Sequence, residues 1–396
     1  MRVLVVTKDF PAPGQPEGGI VVARQLRALQ EAGHELRVVR LTPHAPGITR
    51  RWRAYRDVPT EYAVDGIAVA TLRAYFPPRL IGMEFLPLQL GRAIDRLVEE
   101  FRPDLIHAHY VIPSGQLAVR RAVPAVVTAH GSDAYDWPGR RPGLRRAAAY
   151  AVREAAAVVA VSQFIAGHVR DLAARDVDVV YNGADEEIFA PGDRSAAREA
   201  MGIAPDRFAI AFAGRVSAAK GAFDLLDAAA RLADLRPLLL VAGTTDGGAL
   251  RRIGGRPGVE VRTLGMLSHR ELARALAAAD VFCLPSYREG LPLAVCEAML
   301  AARPVVATPV GGIPEIVNEG RFGYLVPPGD VAQLAKRLRG LAERPDAAGE
   351  MGRAAHEFAR RHLTWRVNVR RYEEIYRRAI ETRPPPQPNT NAACMA

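Results

Sequence analysis

The sequence predicts an α/β protein built from two parallel sheets in succession, and three observations predict it. Short β-branched and aliphatic runs alternate with amphipathic stretches almost throughout; that alternation occurs twice; and a polar segment holding Pro191 and Gly192 separates the two series. The length of 396 residues agrees, because one hydrophobic core stops growing well below it and two domains of roughly 200 residues each are the natural division.

The first series opens at 3–6, a valine and leucine run ended by Lys8 and Asp9. No small-residue cleavage pattern follows it, so it reads as a strand rather than a signal peptide. Further strands are predicted at 35–40, 104–107, 125–128, 158–161 and 177–181. Helical patterns between them run over 19–32, stopped by Gly33, and over 84–101, stopped before Arg102-Pro103. After Tyr181-Asn182-Gly183 the rhythm breaks into a polar stretch. It restarts with strands at 208–213, 238–242, 259–261, 281–284, 305–307 and 323–326, with an amphipathic helix at 223–233 after the first of them. Helical patterns at 331–342, 347–362 and 364–382 complete the series.

Both halves are therefore Rossmann-like. The expected division is an amino-terminal domain over 1–190, a carboxyl-terminal domain over 191–363, and a helix at 364–382 that packs back on the first domain. Pro384-Pro385-Pro386-Gln387-Pro388 and the polar residues after it have nothing to pack, so 383–396 is expected to be a disordered tail.

Apolar residues at 49% and charged residues at 24% are ordinary for a globular chain, and no apolar run approaches the roughly 20 residues needed to span a bilayer. Cys283, Cys296 and Cys394 form an odd, sparse set without metal-ligand spacing, which argues against a disulfide framework and for a reducing compartment, the cytoplasm. The net charge is +10, carried almost wholly by arginine, since lysine occurs only at 8, 220 and 336. Such a chain is drawn to phosphate-rich partners. Nucleic acid is not expected, because no recognition module is visible. Arg50-Arg51-Trp52-Arg53-Ala54-Tyr55-Arg56 interleaves cations with aromatics, and Arg140-Arg141 with Arg145-Arg146 brackets Pro142-Gly143-Leu144. Tyr75-Phe76-Pro77-Pro78 and the run 80–86 add apolar area. These features suit contact with the anionic inner face of a cell membrane, and equally suit solvated arginines around a loop packed on the core.

The most informative segment is Pro285-Ser286-Tyr287-Arg288-Glu289-Gly290-Leu291-Pro292-Leu293-Ala294-Val295-Cys296-Glu297. A strand ends near 284, a tight loop carries Glu289 and Gly290, and Pro292 is expected at the first helical position, where its missing N–H costs nothing. The amides of Leu293 and Ala294 are then unpaired donors at a positive helix end, where a phosphate would dock. Glu289 in the loop is placed to accept from sugar hydroxyls, and Glu297 on the helix from a ribose diol; the bland readings are a capping acid and a solvated helix acid. The strand at 208–213 runs into Gly214-Arg215, with Lys220-Gly221 before the next helix. Two cations at the carboxyl end of a parallel strand can neutralise a diphosphate, or be ordinary surface charge.

Together these stretches resemble the retaining glycosyltransferases of family 4, which have the GT-B fold, two Rossmann-like domains facing each other across a cleft. The resemblance is most specific in Gly214-Arg215 to Lys220-Gly221, in 279–299, in Pro304-Val305-Val306-Ala307-Thr308 and in Val310-Gly311-Gly312-Ile313-Pro314-Glu315. It implies that Arg215 and Lys220 bind the donor diphosphate, Glu289 the donor sugar and Glu297 the ribose, with Gly265-Met266 near the nucleobase. One departure is Gly290-Leu291-Pro292, where family members often have Gly-Phe-Gly. Pro292 cannot donate, so Gly290, Leu291, Leu293 and Ala294 hold the only amides available there.

In the first half, Gly18 and Gly19 open a helix after the first strand; the family carries a glycine pair there that meets the diphosphate when the domains close. His130, in Ala129-His130-Gly131-Ser132-Asp133, follows a strand, and the matching family histidine lies near the reacting sugar. His130 is therefore expected to position the sugar or take part in catalysis, against a structural histidine as the bland reading. Asp133 is expected to orient it or to touch the acceptor. His107 and His109 are as readily structural as acceptor-facing.

The resemblance implies a nucleotide-diphosphate sugar as co-substrate and no cofactor. No metal is expected either, on the reading that the chain has no Asp-x-Asp to hold one, so the leaving charge is met by Arg215, Lys220 and helix amides. It also implies retention of configuration, with a polysaccharide, lipid-linked or small-molecule acceptor. Two rivals stay open: a nucleotide-sugar 2-epimerase of related architecture, which makes product from donor alone, and a catalytically silent nucleotide-sugar-binding partner.

Overall fold

The computed structural model describes residues 1–16, 18–44, 55–75, 82–244 and 257–382. The predicted tail at 383–396 and most of the basic and apolar segments at 50–56 and 75–86 lie outside the described residues. The chain divides into two compact units, Met1–Val180 with the segment from Val369 onward, and Tyr181–Asn368.

The first unit holds β1 (Arg2–Thr7), β2 (Glu35–Pro43), β3 (Glu61–Val64), β4 (Ile67–Ala74), β5 (Leu105–His109), β6 (Ala125–Ala129), β7 (Ala157–Ala160) and β8 (Asp178–Val179). They form one sheet in the order β3-β4-β2-β1-β5-β6-β7-β8, parallel at every pairing except β3 with β4. Every residue of β5, β6 and β7 is buried, which is why these strands read as continuous apolar runs rather than alternating ones. The β3–β4 hairpin is absent from the sequence reading. Its turn is Asp65-Gly66, with φ of 50° and 80°, the positive pair that a two-residue hairpin requires. β3 buries no residue completely, so only the Asp-Gly turn signals it.

The helix Leu86–Phe101 starts later than the predicted 84, after a 3-10 turn at Met83–Phe85, and ends at Arg102, whose φ of 47° breaks the helix before Pro103. On the other side of the chain's length, the helix Trp365–Glu381 contributes Val369, Tyr372, Ile375, Tyr376 and Ala379 to the first unit's core. They pack with Phe10, Leu26, Val38, Val126 and Val159, each fully buried.

The second unit holds β9 (Ala209–Ala213), β10 (Leu238–Ala242), β11 (Glu260–Gly265), β12 (Val281–Leu284), β13 (Val305–Ala307) and β14 (Gly323–Leu325), in the order β11-β10-β9-β12-β13-β14 and parallel throughout. β11 is longer than the predicted 259–261. As an edge strand it leaves Arg262 and Thr263 partly or wholly exposed, and those polar residues mask it in the pattern. In each sheet the strand order reverses once, at β1 between β2 and β5, and at β9 between β10 and β12. Ligands of open parallel sheets bind outside the carboxyl ends of the strands at that reversal.

Candidate functional site

In the second unit, the residues following β9 and β12 lie at the reversal point. β12 ends at Leu284 and the chain loops into the helix Leu293–Leu300. Backbone bonds hold that loop: Tyr287 N–H donates to the Ala219 carbonyl (3.0 Å) and Gly312 N–H to the Gly290 carbonyl (2.7 Å). Asn182 Nδ2 donates to the Leu291 carbonyl (2.9 Å). Two glycines allow the close approaches. At Gly221 and Gly311, with φ of 64° and 59°, an added Cβ would overlap the carbonyl oxygens of Pro285 and Glu289 respectively.

Pro292 is the residue before the helix, with φ −75° and ψ 125°, rather than its first helical residue. Helical φ and ψ begin at Leu293, so the proline ends the extended loop. No side chain caps this helix and no acid lies in its first turn. The amides of Gly290, Leu291, Leu293 and Ala294 donate to no described residue. Four unclaimed N–H groups at the positive end of a helix can bind an anion.

Lys220 ends the short turn Ala218–Lys220, and its Nζ lies 2.6 Å from Glu289 Oε1. The Glu289 side chain is 8% exposed and that of Lys220 32%. The two residues are thus each other's counter-ions. Arg215 is exposed and makes no hydrogen bond or ion pair with a described residue. Glu297 is only 2% exposed, because its helix is buried from Val295 onward. Met266, just past β11, is 58% exposed.

In the first unit, Gly19 is left-handed, with φ 63°, and a Cβ there would overlap the Asp9 carbonyl; Gly18 donates its N–H to the Gln15 carbonyl (3.2 Å). His130 follows β6 and is half-buried, with Nε2 2.9 Å from Nδ1 of His109. Burial lowers its pKa from the ordinary 6.5 to about 3, aided by the Lys8 ammonium and opposed by Asp9. His130 is therefore a neutral imidazole at neutral pH. Asp133 is fully buried, and its oxygens accept from the amides of Val111 (2.8 Å), Gly131 (2.8 Å) and His130 (3.2 Å). It therefore orients the backbone of His130 rather than its ring. Burial raises the Asp133 pKa, and those amides and Lys8 oppose the rise.

His107 sits deeper, its Nε2 2.8 Å from Thr128 Oγ1 and its Nδ1 2.7 Å from the Tyr376 hydroxyl, with its pKa lowered to about 3 by burial. This is a structural histidine. The sequence reading did not single out Lys8 as a site residue. Lys8 pairs with Asp9 and stands 4.2 Å from the Tyr110 ring centroid and 5.0 Å from that of Trp137. Its position directly after the first strand, at the reversal of the sheet, was the available signal.

Among the described residues no group of three His, Cys, Asp or Glu side chains could hold a metal ion. An Asp-x-Asp does occur, Asp176-Val177-Asp178, but it falls at β8, where Asp178 pairs with Arg378.

Residues 18–188 match the family model described as Glycosyltransferase Family 4, and residues 207–344 the model described as Glycosyl transferases group 1. D-inositol 3-phosphate glycosyltransferases of Mycobacterium tuberculosis and Mycobacterium bovis are 36% identical, over 70% of this chain and 62% of theirs. The chain thus spans less than two thirds of the length of these relatives. Among solved structures, sucrose-phosphate synthase from Thermosynechococcus elongatus matches with a TM-score of 0.78 and 22% identity, over 96% of this chain and 100% of that one. HepE from Anabaena, in complex with UDP, matches with a TM-score of 0.72 and 21% identity, over 94% and 99%. Likenesses at that identity speak for the fold, and the two family models, together spanning most of the chain, speak for descent: the chain belongs to the glycosyltransferases and has the GT-B fold.

Proposed function

We propose that the chain moves a hexose-type sugar from a nucleotide-diphosphate sugar to a polysaccharide, lipid-linked or small-molecule acceptor, with retention of anomeric configuration and without a metal. The observation that carries this reading is the donor loop, where four unclaimed amides at Gly290, Leu291, Leu293 and Ala294 lie at the sheet reversal with Lys220 and Arg215. A departing nucleoside diphosphate needs positive charge where its own develops, and preorganised donors in a dry site are worth far more than in water. Arg215, Lys220 and the loop amides supply that charge.

Lys220 is held by Glu289 in the free protein. A bound diphosphate draws the ammonium toward phosphate and leaves Glu289 Oε1 to accept from sugar hydroxyls. The pair thus links phosphate binding to sugar binding. Glu297 accepts from the ribose once the helix end is engaged. The acceptor hydroxyl attacks from the face the diphosphate leaves, and its proton passes to the departing phosphate oxygen. No protein carboxylate need act as nucleophile.

HepE has been solved with UDP and with UDP-glucose, which makes uridine nucleotides the first donors to test. The name of the mycobacterial relatives makes an inositol phosphate the first acceptor. None of the described helices is long and apolar enough to cross a membrane. Phe85 and Leu88, 57% and 86% exposed, support a further proposal, peripheral binding to the anionic inner face of a membrane, which vesicle sedimentation tests.

Thermal unfolding with a panel of nucleotide diphosphates and nucleotide sugars tests the central reading, with Lys220→Ala beside wild type. A ligand specific to the folded state raises Tm with the logarithm of its concentration over Kd. Stabilisation of wild type but not of Lys220→Ala is expected, followed by acceptor-dependent release of nucleotide. Product from donor alone points to the epimerase. Stabilisation without acceptor-dependent release leaves the silent partner, and stabilisation by none of the panel sinks the donor site.

A further inference from the structure

The donor loops leave β9 and β12 at their carboxyl ends. At the amino ends of the same strands lies a cavity of about 570 Å³, bordered by Phe208, Asp280 and Pro304, the residues that lead into β9, β12 and β13. A four-residue strand alone separates the two ends by about 13 Å, so this cavity is not an extension of the donor loop. Its wall carries Arg194, Arg207, Arg303 and Arg353 against the carboxylates of Asp206 and Asp280.

The positive charge there is not matched from within. Both oxygens of Asp280 are occupied, Oδ1 by Arg194, and Oδ2 by Arg198 (2.7 Å) and the Ala209 amide (2.8 Å). Arg207 pairs with Glu260 (3.1 Å). Arg303 has no carboxylate within ion-pair distance among the described residues. Instead its Nε donates to the Ala301 carbonyl (3.0 Å) and its Nη1 to the Ala279 carbonyl (2.8 Å), and Nη2 donates to no described residue. Burial lowers its pKa from the ordinary value; the Asp280 carboxylate opposes that shift, and the neighbouring Arg194 and Arg198 add to it. Arg353, on the helix Pro345–His362, is exposed and makes no hydrogen bond or ion pair with a described residue; Asp206, also exposed, pairs with none of the four arginines.

A guanidinium clamped by two backbone carbonyls presents a fixed edge, and that geometry suits a phosphate better than a mobile lysine would. The volume falls within the roughly 300–1,000 Å³ of small-molecule sites, well beyond the needs of a bare phosphate ion. We infer that this cavity is a second anion site of the second unit, taking a phosphate monoester of sugar size, with Arg303 and Arg353 on the phosphate. It stands independently of the donor reading, because it uses none of the donor-loop residues.

The test is calorimetric titration with glucose 6-phosphate and, separately, inorganic phosphate, at fixed ionic strength, on wild type, Lys220→Ala, Arg353→Gln and Arg303→Gln. Wild type and Lys220→Ala should bind the ester alike. Arg353→Gln should bind it about tenfold or more weakly, as loss of a charge-assisted bond requires. Arg303→Gln also loosens the turn at Ala301, but Arg353 makes no hydrogen bond or ion pair with a described residue, so its variant should melt as wild type does. Absence of ester binding by wild type, loss in Lys220→Ala, or unchanged affinity in Arg353→Gln overturns the inference. Inorganic phosphate bound as tightly as the ester overturns the assignment to a monoester.

Discussion

Replacing Lys220 by methionine removes the ammonium and keeps most of the stem, so the consequence can be worked from the Lys220–Glu289 pair. At 2.6 Å and an effective dielectric constant of about 20, the attraction is about 6 kcal/mol. Withdrawing a carboxylate that is 8% exposed costs several kcal/mol in lost hydration, and the lysine, 32% exposed, is partly screened by water. The net coupling is therefore on the order of 1–3 kcal/mol. Lys220→Met leaves the carboxylate without its partner and should destabilise by about 2–3 kcal/mol, while Glu289→Gln, which retains an acceptor, should cost about 1 kcal/mol. Urea unfolding of wild type, both single variants and the double variant closes the cycle. Excess nucleotide sugar should shrink the coupling, because the lysine then serves phosphate. A coupling below about 0.5 kcal/mol in the free protein, the level of independent sites, would refute the reasoning.

Gly221→Ala should lower stability by about 3 kcal/mol or more, since the new Cβ meets the Pro285 carbonyl at a left-handed φ, whereas Gly202→Ala, also left-handed but with open space around it, should cost about 1–2 kcal/mol; thermal melts compare them. For His107 and His130, folded pKa values of about 3 lie below the unfolded 6.5, so the unfolded chain takes up protons first. Stability is then complete above pH 6.5 and falls as the pH drops toward 3, by up to about 1.4 kcal/mol per pH unit for each histidine. Urea midpoints at pH 7.5, 6 and 5 measure the slope, and His107→Gln should flatten it. Tyr376→Phe removes the hydroxyl bonded to buried His107 and should cost about 1–3 kcal/mol with no change in UDP affinity by titration.

The sequence by itself determined the α/β class and which loops follow the strands at the sheet reversal. Both follow from local rules: strands buried on both faces are uniformly apolar, as in β5 to β7, and loops after such strands meet at the sheet reversal. Gly221 and Gly311 were legible as motif glycines, though not as the clearances for two particular carbonyls. The β3–β4 hairpin escaped because its only mark is Asp65-Gly66 beside a strand with no fully buried residue. Tertiary structure alone decided that Lys220 pairs with Glu289, 69 residues away, that Asp133 serves backbone amides, and that His109 and His130 share a hydrogen bond. It alone placed Arg303 between two carbonyls, with no carboxylate among the described residues within ion-pair distance. Periodicity records which face of an element is buried; the partner of a polar group depends on which strands the crossovers bring together, and that information is spread over the whole chain.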